Sequence, residues 1–188
     1  MPTTLVLGGP RSGKSRHAFS LLRDHDQVTY VVTGDGAPDG TGQGDDVEAE
    51  GTFGAPKITR VPSSWETVRT VELTRTLLSA RRPVLIDCLT GWVRSHLDSH
   101  GLWDDPVRAR ETICSLLAEL AVAAAAVPFP VVLVGQDLST ATRPDHPHHR
   151  LLVELNAEVN TELSAGCRHV HVVVAGRVLD LSDAPVVR

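Results

Sequence analysis

The sequence predicts an α/β fold with helices layered over a mostly parallel sheet. Three observations predict it. Short apolar runs alternate with helical stripes along the 188 residues. The first run ends in a glycine-rich turn that opens a helix. Only at the end of the chain do two strand-like runs follow each other with no helix between them. Such alternation favours parallel pairing through crossover helices.

The elements follow in order. Residues 4–8 (TLVLG) form a short apolar run closed by glycine, the pattern of a buried strand, and 14–23 read as the helix after it. Residues 28–33 (VTYVVT) are rich in β-branched side chains and predict a second strand. Residues 34–54 differ: seven glycines and six acids, with no Lys, Arg or His. They carry no apolar period long enough to pack, so a mobile loop is expected over 34–56. A loop of that length is either a surface insertion or a lid over a site.

Ser63-Ser64-Trp65-Glu66 has the form of a capping box and predicts a helix running to about Ala80. Residues 84–87 (VLID) predict the third strand, and 92–100 a helix. Asp105-Pro106 places proline at a first helical position, and Ile113, Leu116, Leu117, Leu120 and Ala124 continue that helix as a stripe. Residues 131–134 predict a fourth strand. Leu152, Leu155, Val159 and Leu163 predict another helix, and 169–174 and 178–181 two closing strands turning near Ala175-Gly176.

Composition fits one globular domain spanning 1–188, with 41% hydrophobic and 22% charged residues. The net charge of -5 gives no reason to expect nucleic acid or an anionic membrane as partner. Cys88, Cys114 and Cys167 are odd in number and far apart, which disfavours a disulfide framework or zinc cluster and suits a reducing compartment. The longest apolar stretch, residues 120–134, is broken by Pro128 and Pro130 and is too short to span a bilayer. The N-terminus shows no basic start followed by an apolar signal core, so the expectation is a soluble, cytoplasmic protein without membrane insertion.

Gly8-Gly9-Pro10-Arg11-Ser12-Gly13-Lys14-Ser15 fits the phosphate-loop pattern G-x-x-x-x-G-K-[ST]. It follows a predicted strand and opens a predicted helix, as the physics requires. Gly8 and Gly13 are expected to permit turns closed to other residues, so that loop N–H groups surround phosphate oxygens at the positive end of a helix dipole. Lys14 would reach the β- and γ-phosphates, and the Ser15 hydroxyl would bind Mg²⁺. A second carboxylate for the metal belongs at the end of another apolar strand, where Asp87 stands. Asp87 could instead cap the next helix. The catalytic candidates are therefore Lys14 and Asp87, and the metal ligands Ser15 and Asp87. The nucleotide site is expected to comprise Gly8 to Ser15 with Val32, Thr33, Gly34 and Asp87. The motif implies a P-loop NTPase-type three-layer sandwich that takes ATP or GTP.

Further blocks narrow the reading. GGPRSGKSRHA at 8–18 resembles the GG-x-RSGKS-x-x-A opening of the bifunctional adenosylcobinamide kinase / adenosylcobinamide-phosphate guanylyltransferase family. LIDCLTGWVRSHL at 85–97 resembles its D-C-L-T-x-W block, and VVLVGQDLS at 131–139 its VLVTNEVG strand, with Asp137 matching the Glu. Residues 160–176 resemble its tail. The resemblance implies phosphorylation of the aminopropanol hydroxyl of adenosylcobinamide, then transfer of GMP from GTP to that phosphate through a histidine. It also implies a homo-oligomer, such as a trimer built on strand-edge contacts.

In the family that histidine follows the second strand. Here no histidine occurs between Asp26 and Arg94, so the kinase half is expected to survive while GMP transfer is weak or absent. His146, His148 and His149 are the tempting replacements, but in a proline-broken stretch expected to be a surface loop they are expected to be solvated or a weak adventitious metal site. His17, on the predicted helix after the phosphate loop, is expected to make a packing or polar contact. Another small-molecule P-loop kinase or NTPase, or a nucleotide-binding subunit without turnover, remains the alternative.

Overall fold

The computed structural model describes residues 3–33, 61–138 and 146–187. The expected loop at 34–56, with Gly34, and Ser139 lie outside that set. The elements are β1 (Thr3–Gly8), α1 (Lys14–Leu21), β2 (Thr29–Val32), β3 (Glu66–Arg69), α2 (Leu73–Ser79), β4 (Val84–Asp87), α3 (Leu89–Ser99), α4 (Pro106–Ala126), β5 (Val131–Gln136), α5 (Pro147–Gly166), β6 (His169–Val174) and β7 (Arg177–Asp180).

Among the described residues the strands form one sheet in the order β3-β2-β4-β5-β1-β6-β7. Every neighbouring pair is parallel except β6 and β7. The three-layer α/β sandwich expected from the sequence is the architecture observed. Alternation along the strands splits the core. Leu5, Val31, Val84, Ile86, Val131 and Leu133 face α2, α3, α4 and α5. Val6, Tyr30, Leu85, Val132, Val134 and Val173 face Ala18 and Leu22 at α1. Strands β1, β4 and β5 are buried on both faces, which explains their unbroken apolar runs.

One expected element is wrong. No helix starts at Ser63. Trp65 closes a turn, donating its N–H to Pro62 at 2.9 Å, and Glu66–Arg69 becomes a parallel edge strand on β2. The helix begins only at Leu73. The Trp65 ring accounts for this: it is 7% exposed and stacks on Phe19 with centroids 4.8 Å apart. That anchor, with the ladder bonds β2 offers, outweighs a capping signal worth about 1 kcal/mol.

Two smaller differences concern helix starts. α3 begins at Leu89, capped by Cys88, whose Sγ accepts from the Gly91 N–H at 3.4 Å. Asp87 is thus not the cap. His148 and His149 lie in the first turn of α5 rather than in a loop, because Pro147 occupies the first helical position and His146 caps it.

Candidate nucleotide-binding site

The loop from Gly8 to Ser15 joins the carboxyl end of β1 to α1, near the middle of the sheet. Gly13 caps α1 in the left-handed conformation (φ 98°), and among the described residues no side chain caps the helix's first N–H groups. A helix start left open in this way is suited to an anion. Arg11 also adopts positive φ, at 56°, and its side chain is exposed at the tip.

Gly8 is required for a different reason from the one expected. It has no positive φ; instead a Cβ there would sit 2.5 Å from Ser12 Oγ and 2.7 Å from the Val173 carbonyl oxygen. Gly9 faces open space. The loop is braced from both sides. Gly176, in the β6–β7 turn, donates its N–H to the Ser12 carbonyl at 3.0 Å, and Asp137 donates its N–H to the Gly8 carbonyl at 3.0 Å. Lys14 Nζ donates to the Gly9 carbonyl at 3.4 Å and so lies folded along the loop.

Asp87 ends β4 with 2% exposure. Burial raises its pKa to about 6, against the opposing influence of the Ser15 hydroxyl and the Lys14 ammonium. Those influences place Ser15 and Lys14 beside the carboxylate. Asp87 Oδ2 is fully buried and has no hydrogen-bond partner. An orphaned carboxylate oxygen next to a serine hydroxyl is the donor set a hard divalent cation requires, so these residues fit Mg²⁺.

The remaining candidates divide. Val32 lies in register between Asp87 and Arg69, at the carboxyl edge of the α1 face. Thr33 is 1% exposed, and its hydroxyl serves the backbone. It donates to the Cys88 carbonyl and accepts from the Cys88 N–H at 3.0 Å. Thr33 thus holds the β4–α3 junction, and its side chain is committed there. Gly34 lies outside the described residues. Two polar residues at the carboxyl edge carry no local signal of a site role: Arg69, within the stretch expected as a helix, and Gln136, two residues past the apolar run of its strand.

Several histidines have partners of their own. His17 Nε2 and His171 Nδ1 share a hydrogen bond at 2.9 Å between α1 and β6, the polar contact expected for His17. His148 Nε2 meets Asp104 Oδ1 at 2.9 Å and packs on Trp103. His96 is buried against Trp92. Among the described residues no helix is long and apolar enough to cross a membrane.

Fold and loop together define a P-loop protein of the α/β three-layer class. Comparison narrows the class: the model of the cobinamide kinase / cobinamide phosphate guanyltransferase family matches residues 4–181, and the chain belongs to that family. It is similar to the bifunctional adenosylcobalamin biosynthesis protein CobP of Pseudomonas aeruginosa, with 32% identity over 190 residues covering 97% of this chain and 98% of that protein. The protein CobU of Escherichia coli, with the same descriptive name, is 29% identical over 177 residues, covering 92% and 95%. Its Salmonella typhimurium counterpart is 30% identical over 181 residues.

Proposed function

We propose that this protein transfers the γ-phosphoryl group of ATP or GTP to the aminopropanol hydroxyl of adenosylcobinamide, in cobalamin biosynthesis. The observation that carries the reading is the open phosphate loop with the buried, half-unpartnered Asp87 beside Ser15 and Lys14. Membership of the family supports the corrinoid acceptor.

Phosphoryl transfer runs through a loose transition state with charge spread over the equatorial oxygens. The protein's work is then positioning and charge stabilisation. Loop N–H groups at the start of α1 hold the phosphates, and Lys14 swings from the Gly9 carbonyl to the β- and γ-phosphate oxygens. Ser15 and Asp87 would hold Mg²⁺, which neutralises phosphate charge when bound. Arg11, at the exposed tip, offers a bidentate fork to a phosphate or to the acceptor.

The second family activity is proposed to be weak or absent. A histidine forming a phosphoramidate must present a neutral ring nitrogen in line with the α-phosphate. Between Asp26 and Arg94 the sequence offers acids and glycines instead.

Adenosylcobinamide-dependent release of nucleoside diphosphate tests the kinase reading. Equal release with other hydroxyl compounds would point to a different small-molecule kinase, and no release at all to a binding subunit. Intact-mass measurement after incubation with GTP and Mg²⁺ tests the second half, and no GMP adduct is expected. An adduct that disappears in His146→Ala, His148→Ala or His149→Ala would overturn it.

A further inference from the structure

Gln136 ends β5, the strand between the phosphate-loop strand β1 and the Asp87 strand β4. It is the register partner of Gly8. Val132 and Val134, the preceding even-numbered residues, face α1, so the strand's alternation turns Gln136 to the same face as Asp87 and the loop. Asp87 pairs with Val134, which puts Gln136 two residues further along the neighbouring strand, with Cα atoms about 8 Å apart. The residue is 5% exposed, and no hydrogen bond to its side-chain amide occurs among the described residues.

Its backbone, in contrast, is clamped. The Gln136 carbonyl accepts from Asn156 Nδ2 at 2.6 Å and from Asn160 Nδ2 at 3.0 Å. Asn156 is fully buried and in turn accepts from the Thr90 hydroxyl at 2.6 Å. The next residue's N–H is bound to Gly8. Two buried amides from α5 on one carbonyl fix the strand end, while the side chain of Gln136 makes no hydrogen bond among the described residues. A polar residue seated this firmly on the face of Asp87 and the loop, with an amide that is unbonded among the described residues yet open to solvent, is placed to meet a ligand there.

We propose that Gln136 is a catalytic residue whose amide N–H donates to a γ-phosphoryl oxygen of the bound nucleotide, held in place by Asn156 and Asn160 as positioning residues. This rests on the phosphoryl-transfer reading given above. In the step, the acceptor oxygen bonds to the γ-phosphorus as the bond from that phosphorus to the β–γ bridging oxygen breaks. The electron pair leaves on the nucleoside diphosphate, and the hydroxyl proton passes to water. The three γ-oxygens carry the charge throughout, and a donor fixed before the reaction stabilises it without reorganising.

The test compares Gln136→Leu with the unmodified protein. Titration with ADP and GDP, and with their triphosphate analogues bearing a nitrogen β–γ bridge, reads the γ-phosphate contact directly. The Leu variant is expected to lose about tenfold in affinity for the triphosphate analogue, the worth of one hydrogen bond to a charged group. Diphosphate affinity should not change. Turnover should fall roughly 10²-fold, as for loss of one fixed transition-state donor. Gln136→Glu, of nearly the same shape, serves if the Leu variant does not fold, and its added charge should weaken triphosphate binding further.

Unchanged preference for triphosphate over diphosphate, with unchanged turnover, would overturn the proposal. If the unmodified protein does not phosphorylate adenosylcobinamide but its triphosphate preference depends on Gln136, only the acceptor assigned above fails. The positioning role is read from a double-mutant cycle. Asn156→Ala should lower kcat in the native background and add little to Gln136→Leu. Additive losses would make Asn156 a residue of the fold alone. Asn160→Ala replaces it in the cycle if Asn156→Ala does not fold.

Discussion

Gly8→Ala separates a steric account of the phosphate loop from a conformational one. The added methyl would meet Ser12 Oγ at 2.5 Å and the Val173 carbonyl oxygen at 2.7 Å. Ser12 can rotate its hydroxyl away. Val173 cannot move easily, because its oxygen belongs to β6, which is paired on one side with β1 and on the other with β7. The loop itself must therefore shift, by several tenths of an ångström or more. Overpacking of this kind costs about 1–3 kcal/mol. For a domain of this size each kcal/mol moves Tm by about 2–4 °C, so a fall of roughly 2–12 °C is expected. Gly9→Ala is the control, because a Cβ there meets nothing within 4 Å. It should stay within the ±0.5 kcal/mol or so of an unobstructed substitution. Thermal denaturation of both variants without nucleotide checks this. Equal Tm values for the two would refute the steric reasoning. The same displacement should also lower turnover by about 10²-fold, the cost of misplacing a reacting group by about 1 Å.

Further outcomes follow from the same geometry. Lys14→Ala should lower phosphoryl transfer by about 10²–10³ while the protein stays folded, and near-normal turnover of the purified variant would show that the loop is not the site. His96 gives a pH dependence. Burial lowers its pKa, His100 adds to this, and Glu72 and the Val71 carbonyl oppose it. Both ring nitrogens are fully buried, and among the described residues neither makes a hydrogen bond of ordinary geometry, the Val71 carbonyl being only a weak acceptor nearby. The unfolded chain therefore binds the proton more readily, so this contribution to stability is whole above the ordinary histidine value of about 6.5 and is lost as pH falls towards the lowered one. His96→Phe should flatten the fall in Tm between neutral and mildly acid pH, and an unchanged slope would contradict the assignment.

Local signals in the sequence point to the centre of the candidate site. The phosphate loop is contiguous, and Asp87 ends an apolar run, so both were legible without the fold. What failed depended on distant partners. Glu66–Arg69 is four residues long, and nothing inside it announces that β2 has a free edge for it to fill. The capping pattern at Ser63 was real as a pattern but lost to the burial of Trp65. Pro147 holds the same first helical position as Pro106 in α4, but the prolines and histidines around it mask the helix start in the sequence. The role of Gln136 is not legible locally because apolar residues mark a strand's visible extent, and β5 runs two residues beyond them, where Asn156 and Asn160 reach its carbonyl from 20 and 24 positions away.

The central claim is that the γ-phosphoryl group moves from nucleotide to the corrinoid hydroxyl. It is tested most directly by incubating the purified protein with adenosylcobinamide, Mg²⁺ and γ-labelled ATP or GTP, then separating the corrinoid and locating the label. The account predicts label in a phosphate ester of adenosylcobinamide, formed by the native protein and strongly reduced in Lys14→Ala. Label found only in inorganic phosphate or in unreacted nucleotide, with the corrinoid unmodified, would contradict it.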